Sequence, residues 1–175
     1  MRLIICDLDG TLSDCSPRQH LAAAKDWDGF HQLMSEDKCD LFVLELLHSV
    51  SIVNGTSNGR EIGIAFLTGR PEAYREQTMA WLEQACDLYE YDDYIDLIMR
   101  PRDDYTTDFL LKQQLFAQQM AGGRIGEWFR ENVGLDPTDV EVQKQNVLFL
   151  DDRDKVVAAW RDAGFKCWQV GEGAF

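Results

Sequence analysis

The sequence predicts an α/β fold: a Rossmann-like three-layer sandwich with a central, mostly parallel five-stranded sheet, helices on both faces and a small insertion after the first strand. Three observations predict it. Five short apolar runs recur, at Arg2–Cys6, Ile62–Leu67, Tyr94–Met99, Asn146–Leu150 and Lys166–Val170, each closed by polar or turn residues. Between them lie segments of helical period, such as Tyr74, Thr78, Trp81, Leu82 and Ala85 on one face. The runs and helices alternate along the chain, and that alternation favours a parallel sheet covered on both sides.

The elements follow in order. RLIIC at Arg2–Cys6 opens the chain as a buried strand and runs directly into DLDGT. The next connection, Leu12–Glu61, is long for a crossover; it holds one clear helix, about Cys39–Val53, ended by the turn-rich NGTSNG at Asn54–Gly59. Upstream of that helix, residues 14–38 are left for a small accessory element. Pro71 suits a first helical position, and Gly164 falls just past a helix over Asp154–Ala163. The stretch Ala121–Lys144 holds a short helix around Gly126–Asn132 and a turn at Asp136-Pro137. No internal repeat, linker or low-complexity segment interrupts the chain, so 1–175 is expected to form one domain.

Composition narrows the function. With 175 residues, 45% hydrophobic and 27% charged, the chain can bury a core. No apolar stretch is long enough to span a bilayer and there is no room for a cleavable signal before the first motif, so a cytoplasmic setting without membrane contact is expected. The five cysteines are scattered without a paired spacing and are expected to be reduced thiols. A net charge of −14 disfavours an extended nucleic-acid-binding face, though not a local basic pocket for one phosphate.

In parallel sheets ligands bind at the carboxyl ends of the strands. Those ends carry Asp7 and Asp9, Thr68-Gly69-Arg70, Arg100 and Arg102, and Asp151-Asp152-Arg153. Four carboxylates on one rim repel one another by several kcal/mol per close pair, at roughly 4 kcal/mol for 4 Å and an effective dielectric near 20. An all-oxygen set without His or Cys selects a hard divalent cation, with Mg²⁺ expected alongside a phosphate.

D-x-D-G-T-L at 7–12, an apolar run ending in T-G-R at 68–70, a helical Lys112 and L-D-D at 150–152 resemble, in this order, the four motifs of the haloacid-dehalogenase-like superfamily. The resemblance implies that fold, an Asp7 nucleophile forming an aspartyl-phosphate and an Asp9 general acid and base. It further implies a Mg²⁺ site from Asp7, the main-chain carbonyl of Asp9, Asp151 and Asp152, with Thr68 and Lys112 holding the phosphoryl oxygens and Gly10 and Gly69 admitting backbone amides to the anion. The segment Asp151–Phe175, with its C-W-Q-V, is similar to the end of the 3′-phosphatase domain of phage polynucleotide kinase-phosphatases. By that likeness Arg18, Arg70, Gly69 and Asp108 bind or orient the substrate, a phosphorylated nucleotide or a DNA or RNA 3′ end. No G-x-x-x-x-G-K-[ST] loop occurs, so kinase activity is not expected. Two rival activities stay open: a 5′-nucleotidase or small-metabolite phosphatase, and a phosphate-binding module without turnover.

Each assignment has a plainer rival. Lys112 could make only an exposed ion pair with Asp108, four residues before it. Trp27, Phe30 and His31 in the insertion could stack on a base, or form that element's own small core. His20, His48, Arg153 and Arg161 read as surface or structural residues.

Overall fold

The computed structural model describes residues 1–56, 62–86 and 94–173. The five apolar runs are strands of one sheet: β1 (Leu3–Cys6), β4 (Gly63–Pro71), β5 (Tyr94–Arg100), β6 (Val147–Arg153) and β7 (Lys166–Gly173). Their order is β5-β4-β1-β6-β7, and all four pairings are parallel. A separate two-stranded antiparallel ribbon joins β2 (Ser13–Asp14) to β3 (Lys38–Cys39) and closes the base of the insertion.

Alternation along each strand divides the core. Leu3 and Ile5 of β1, Ala65 and Leu67 of β4 and Val147 and Phe149 of β6 pack with α5 (Asp108–Gly122), α6 (Arg124–Val133) and α8 (Asp154–Asp162). Ile4 and Cys6, Ile64 and Phe66, and Leu148 and Leu150 face the other way, against α3 (Leu41–Thr56) and α4 (Arg75–Cys86). Both faces of the sheet are therefore dry, which is why the strands read as continuous apolar runs. Within the first cluster, Phe149 and Trp160 stack with ring centroids 3.7 Å apart.

Several boundaries differ from the sequence reading. The central helix starts at Leu41 because the Asp40 carboxylate accepts hydrogen bonds from the Phe42 and Val43 amides, at 2.9 and 3.1 Å, and so caps it. It continues to Thr56, so Asn54–Thr56 of the expected turn are helical; the remainder, 57–59, lies outside the described residues. Pro71 ends β4 and caps a 3-10 turn, Glu72–Tyr74, one residue earlier than a first helical position. The 121–144 stretch carries a further helix, α7 (Val140–Asn146), after the Asp136 turn. Gly164 takes φ +88° just beyond α8, as a helix stop requires.

The cysteine expectation needs correction: Cys39 and Cys86 form a disulfide, while Cys6, Cys15 and Cys167 are free and buried. The bond fastens the base of the insertion to the last residue of α4. Within the insertion, α1 (Gln19–Ala23) and α2 (Trp27–Gln32) precede a 3-10 turn, Leu33–Glu36. Phe30, His31 and Met34 are buried there, so Phe30 and His31 belong to its small core, whereas Trp27 is 55% exposed. Among the described residues, no helix is long and apolar enough to cross a membrane.

Candidate active site

The site forms where β1, β4 and β6 end side by side. Asp7 follows β1 immediately, and its amide continues the ladder by donating to Leu150 O at 2.9 Å, which sets it beside Asp151. Lys112 projects from α5 between them: its Nζ lies 2.9 Å from Asp7 Oδ1, 2.8 Å from Asp151 Oδ2 and 3.6 Å from Asp108 Oδ2. Only 1% of Lys112 is exposed, so the reading of a solvated surface ion pair fails. The chain turns at Gly10 with φ +86°, and a Cβ there would collide with the Asp152 carboxylate. Thr11 Oγ1 donates to that carboxylate at 3.4 Å.

One oxygen from each of Asp7, Asp151 and Asp152 lies within 4.8 Å of the others, and all three residues are buried. Burial raises the Asp7 carboxyl well above its ordinary value; Lys112 pulls it down while Asp151, Asp152 and Asp108 push it further up. Burial and then Asp151 push Asp152 up to about 6. One ammonium does not balance this set. The donors fit a hard divalent cation, which takes carboxylate oxygens and relieves their repulsion.

Asp9 belongs to a second cluster. Arg18 Nη2 donates to Asp9 Oδ1, and Arg70 reaches the same oxygen through Nε at 3.0 Å and Nη2 at 2.6 Å. Burial opposes ionisation of Asp9, but the Arg70 and Arg18 guanidiniums outweigh it and hold the carboxyl well below the usual range. Arg18 is itself anchored by Asp37, whose oxygens accept from Nε at 2.8 and 3.0 Å, and by Phe30 O, 3.0 Å from Nη1. The Arg18 guanidinium carbon also lies 4.0 Å from the Phe30 ring centroid. Ser13 Oγ donates to Asp37, and Trp81 Nε1 donates to Asp37 O at 2.9 Å.

Thr68 is fully buried within β4, and its Oγ1 accepts from the Arg70 amide at 3.2 Å. At Gly69 a Cβ would come within 2.6 Å of Asp108 Oδ1. Asp108 also gathers Arg100 Nη2 at 3.2 Å and Arg153 Nη1 at 3.1 Å. Burial works against its ionisation, but Lys112, Arg153 and Arg100 prevail and lower its pKa.

The rim thus brings together Asp7, Asp9, Arg18, Thr68, Gly69, Arg70, Asp108, Lys112, Asp151 and Asp152. The Asp9 carboxylate stands apart from the three-carboxylate group, held by guanidiniums. Sequence reasoning missed Asp37, gave Arg100 no role and treated Arg153 as peripheral. Asp37 sits 19 residues from Arg18, and no local pattern marks the pair. Arg153 adjoins the L-D-D motif, a signal that could have been read. Arg161 is structural, donating to Cys167 O at 3.1 and 2.9 Å. His20 contacts Pro17 O and His48 contacts Cys86 O, each at 3.1 Å.

A parallel sheet with an acidic, lysine-bearing rim at its carboxyl ends defines a haloacid-dehalogenase-like hydrolase. A hydrolase of that class from Streptococcus pneumoniae superposes over 99% of this chain and 88% of its own, at 11% identity and TM-score 0.55, a likeness of fold. Residues 1–124 and 137–175 match the polynucleotide kinase PNKP phosphatase domain, and the chain belongs to that family of phosphatases. A putative bifunctional polynucleotide kinase/RNA ligase of Autographa californica nuclear polyhedrosis virus is 28% identical over 162 residues, 92% of this chain but 18% of the relative. Chains from two structures of the Pnkp1/Rnl/Hen1 complex, one described as an RNA repair complex, cover 99% of this chain. Their identities are 28% and 29%, with TM-scores 0.68 and 0.62, and this chain spans 47% and 43% of them.

Proposed function

We propose that this chain is a Mg²⁺-dependent phosphomonoesterase that removes 3′-phosphates from nucleic-acid ends or nucleotides through an aspartyl-phosphate on Asp7. The observation that carries it is the division of labour between two acids one residue apart: Asp7 beside Lys112, Asp151 and Asp152, and Asp9 beside two guanidiniums. Asp7, Asp151 and Asp152, with the Asp9 carbonyl, would hold Mg²⁺, which when bound neutralises phosphoryl charge.

The rest of the chemistry comes from side chains. An Asp7 oxygen attacks phosphorus as the bond to the leaving 3′-oxygen breaks, and Asp9 gives that oxygen a proton. Lys112 and Thr68 hold the equatorial oxygens as charge develops. The incoming phosphate competes with Asp9 for Arg18 and Arg70, which loosens their hold and lets Asp9 carry a proton. Water then attacks phosphorus, Asp9 takes its proton, the bond to Asp7 breaks and inorganic phosphate leaves.

The polynucleotide-processing names of the relatives support the substrate class. The test is phosphate release from a 3′-phosphorylated oligonucleotide and from a 5′-mononucleotide, with and without Mg²⁺. Release from the first, lost on chelation, is the expected result; preferential release from the 5′-mononucleotide would overturn the 3′ assignment.

A further inference from the structure

We infer that Trp27 is the platform on which the terminal nucleobase of the substrate stacks, an inference that rests on the proposed 3′-phosphatase reading. The residue that protonates the leaving oxygen marks the side on which the nucleoside departs, and that residue is Asp9. A row of aromatic rings begins there. Arg18, bonded to Asp9, lies against Phe30; Phe30 meets Trp27 edge-on at 5.9 Å and His31 at 5.4 Å, and His31 meets Tyr74 at 5.1 Å. Phe30 and His31 are buried within the row, and its exposed member is Trp27.

The platform is fixed to the rim rather than loose upon it. Asp26 caps α2 by accepting from the Gly29 amide at 3.0 Å. From the other side Tyr74, just beyond β4, packs on His31, and Gln77 Nε2 donates to Gln32 O at 3.0 Å. Such anchoring lowers the ordering cost of a contact made by the indole.

Charge disfavours the alternative direction. The cleft beside Asp152 is lined by Asp14, Asp40, Asp152 and Glu172, a surface that repels a phosphodiester backbone. On the Asp9 side Asp26 and Asp28 flank Trp27, and the buried Arg18 and Arg70 guanidiniums stand behind the aromatic row. Stacking tolerates any base, since each has a π-face.

The experiment compares two oligonucleotides ending in a 3′-phosphate, one with a terminal thymidine and one with a terminal abasic tetrahydrofuran residue, for wild type, Trp27→Ala, Trp27→Phe and Tyr105→Ala. Tyr105 is 91% exposed on the loop after β5, outside the aromatic row, and serves as a control for any exposed aromatic. The expected result is a wild-type preference in kcat/KM for the thymidine end of about tenfold, carried by KM, that collapses in Trp27→Ala and survives in Trp27→Phe and Tyr105→Ala. Equal wild-type handling of the two ends, a preference that survives Trp27→Ala, or its loss in Tyr105→Ala would overturn the inference while leaving the 3′-phosphatase reading intact. No release from either end by wild type would overturn that reading itself.

Discussion

Asp7 and Asp9 flank the buried Leu8 yet meet different partners, although they are the same residue type. The Asp7 region is built on the sheet: its neighbours Asp151 and Asp152 lie at the end of the adjacent strand, and Lys112 reaches in from α5. The Asp9 region is built by the insertion: Arg18, Asp37 and Phe30 all come from it or its base, and Arg70 joins from β4. The first region accumulates negative charge around a single ammonium. The second surrounds a carboxylate with two cations. The two acids thus sit in opposed settings: backbone pairing supplies one, while long-range side-chain ties supply the other.

The comparison breaks first at Asp7, the nucleophile of the proposed reaction. Asp7→Asn removes the attacking oxygen and lowers kcat by at least about 10³-fold, with the fold retained, as phosphate release and circular dichroism will show. On the other side, Asp37→Ala leaves a buried Arg18 without its main anchor. Removing one member of a buried pair costs about 3–5 kcal/mol, so chemical denaturation should show a loss of that size. Asp37→Asn should lose less, since it keeps an acceptor.

Magnesium sharpens the contrast. At a hundredfold excess over its dissociation constant it should stabilise the wild type by about 2.7 kcal/mol, less in Asp152→Asn, while the cost of Asp37→Ala stays unchanged by the metal. Coupling between Mg²⁺ and Asp37 in such a cycle would show that the two regions are one unit.

The smallest effect is that of His31. Burial pushes its imidazole down to about 4, with Asp9 and Asp28 opposing and Arg70 and Arg18 assisting. An unfolded histidine titrates near 6.5, so between these values the unfolded chain binds more protons. Stability from this group is therefore fully present above about pH 6.5 and lost as pH falls toward 4. Denaturation of wild type and His31→Leu across that window should show a shallower slope in the variant.

The Asp7 region was legible because its parts announce themselves locally. The alternation of Leu3, Ile4, Ile5 and Cys6 between two cores forces a buried strand, and two acids directly after it demand compensation. Lys112 was legible only through the spacing it shares with the family. The Asp9 region was half legible: Arg18 and Arg70 could be placed, but Asp37 could not, because its partner follows no helical or strand period. Cys39 and Cys86 escaped notice for the same reason, being 47 residues apart with no paired spacing. Helix α3 was misplaced by two residues at its start although Asp40, a capping residue type, stood in plain view.

The earliest strand in the chain occupies the middle of the sheet, with β4 on one flank and β6 on the other. As a ribosome extends the polypeptide, residues 3–6 must wait for residues 147–153 before both their edges are paired. Until then an apolar strand edge stays available to other chains, and Asp7 lacks Asp151. Bringing Asp7 beside Asp151 thus depends on a pairing between strands far apart in the sequence, and such contacts close slowly.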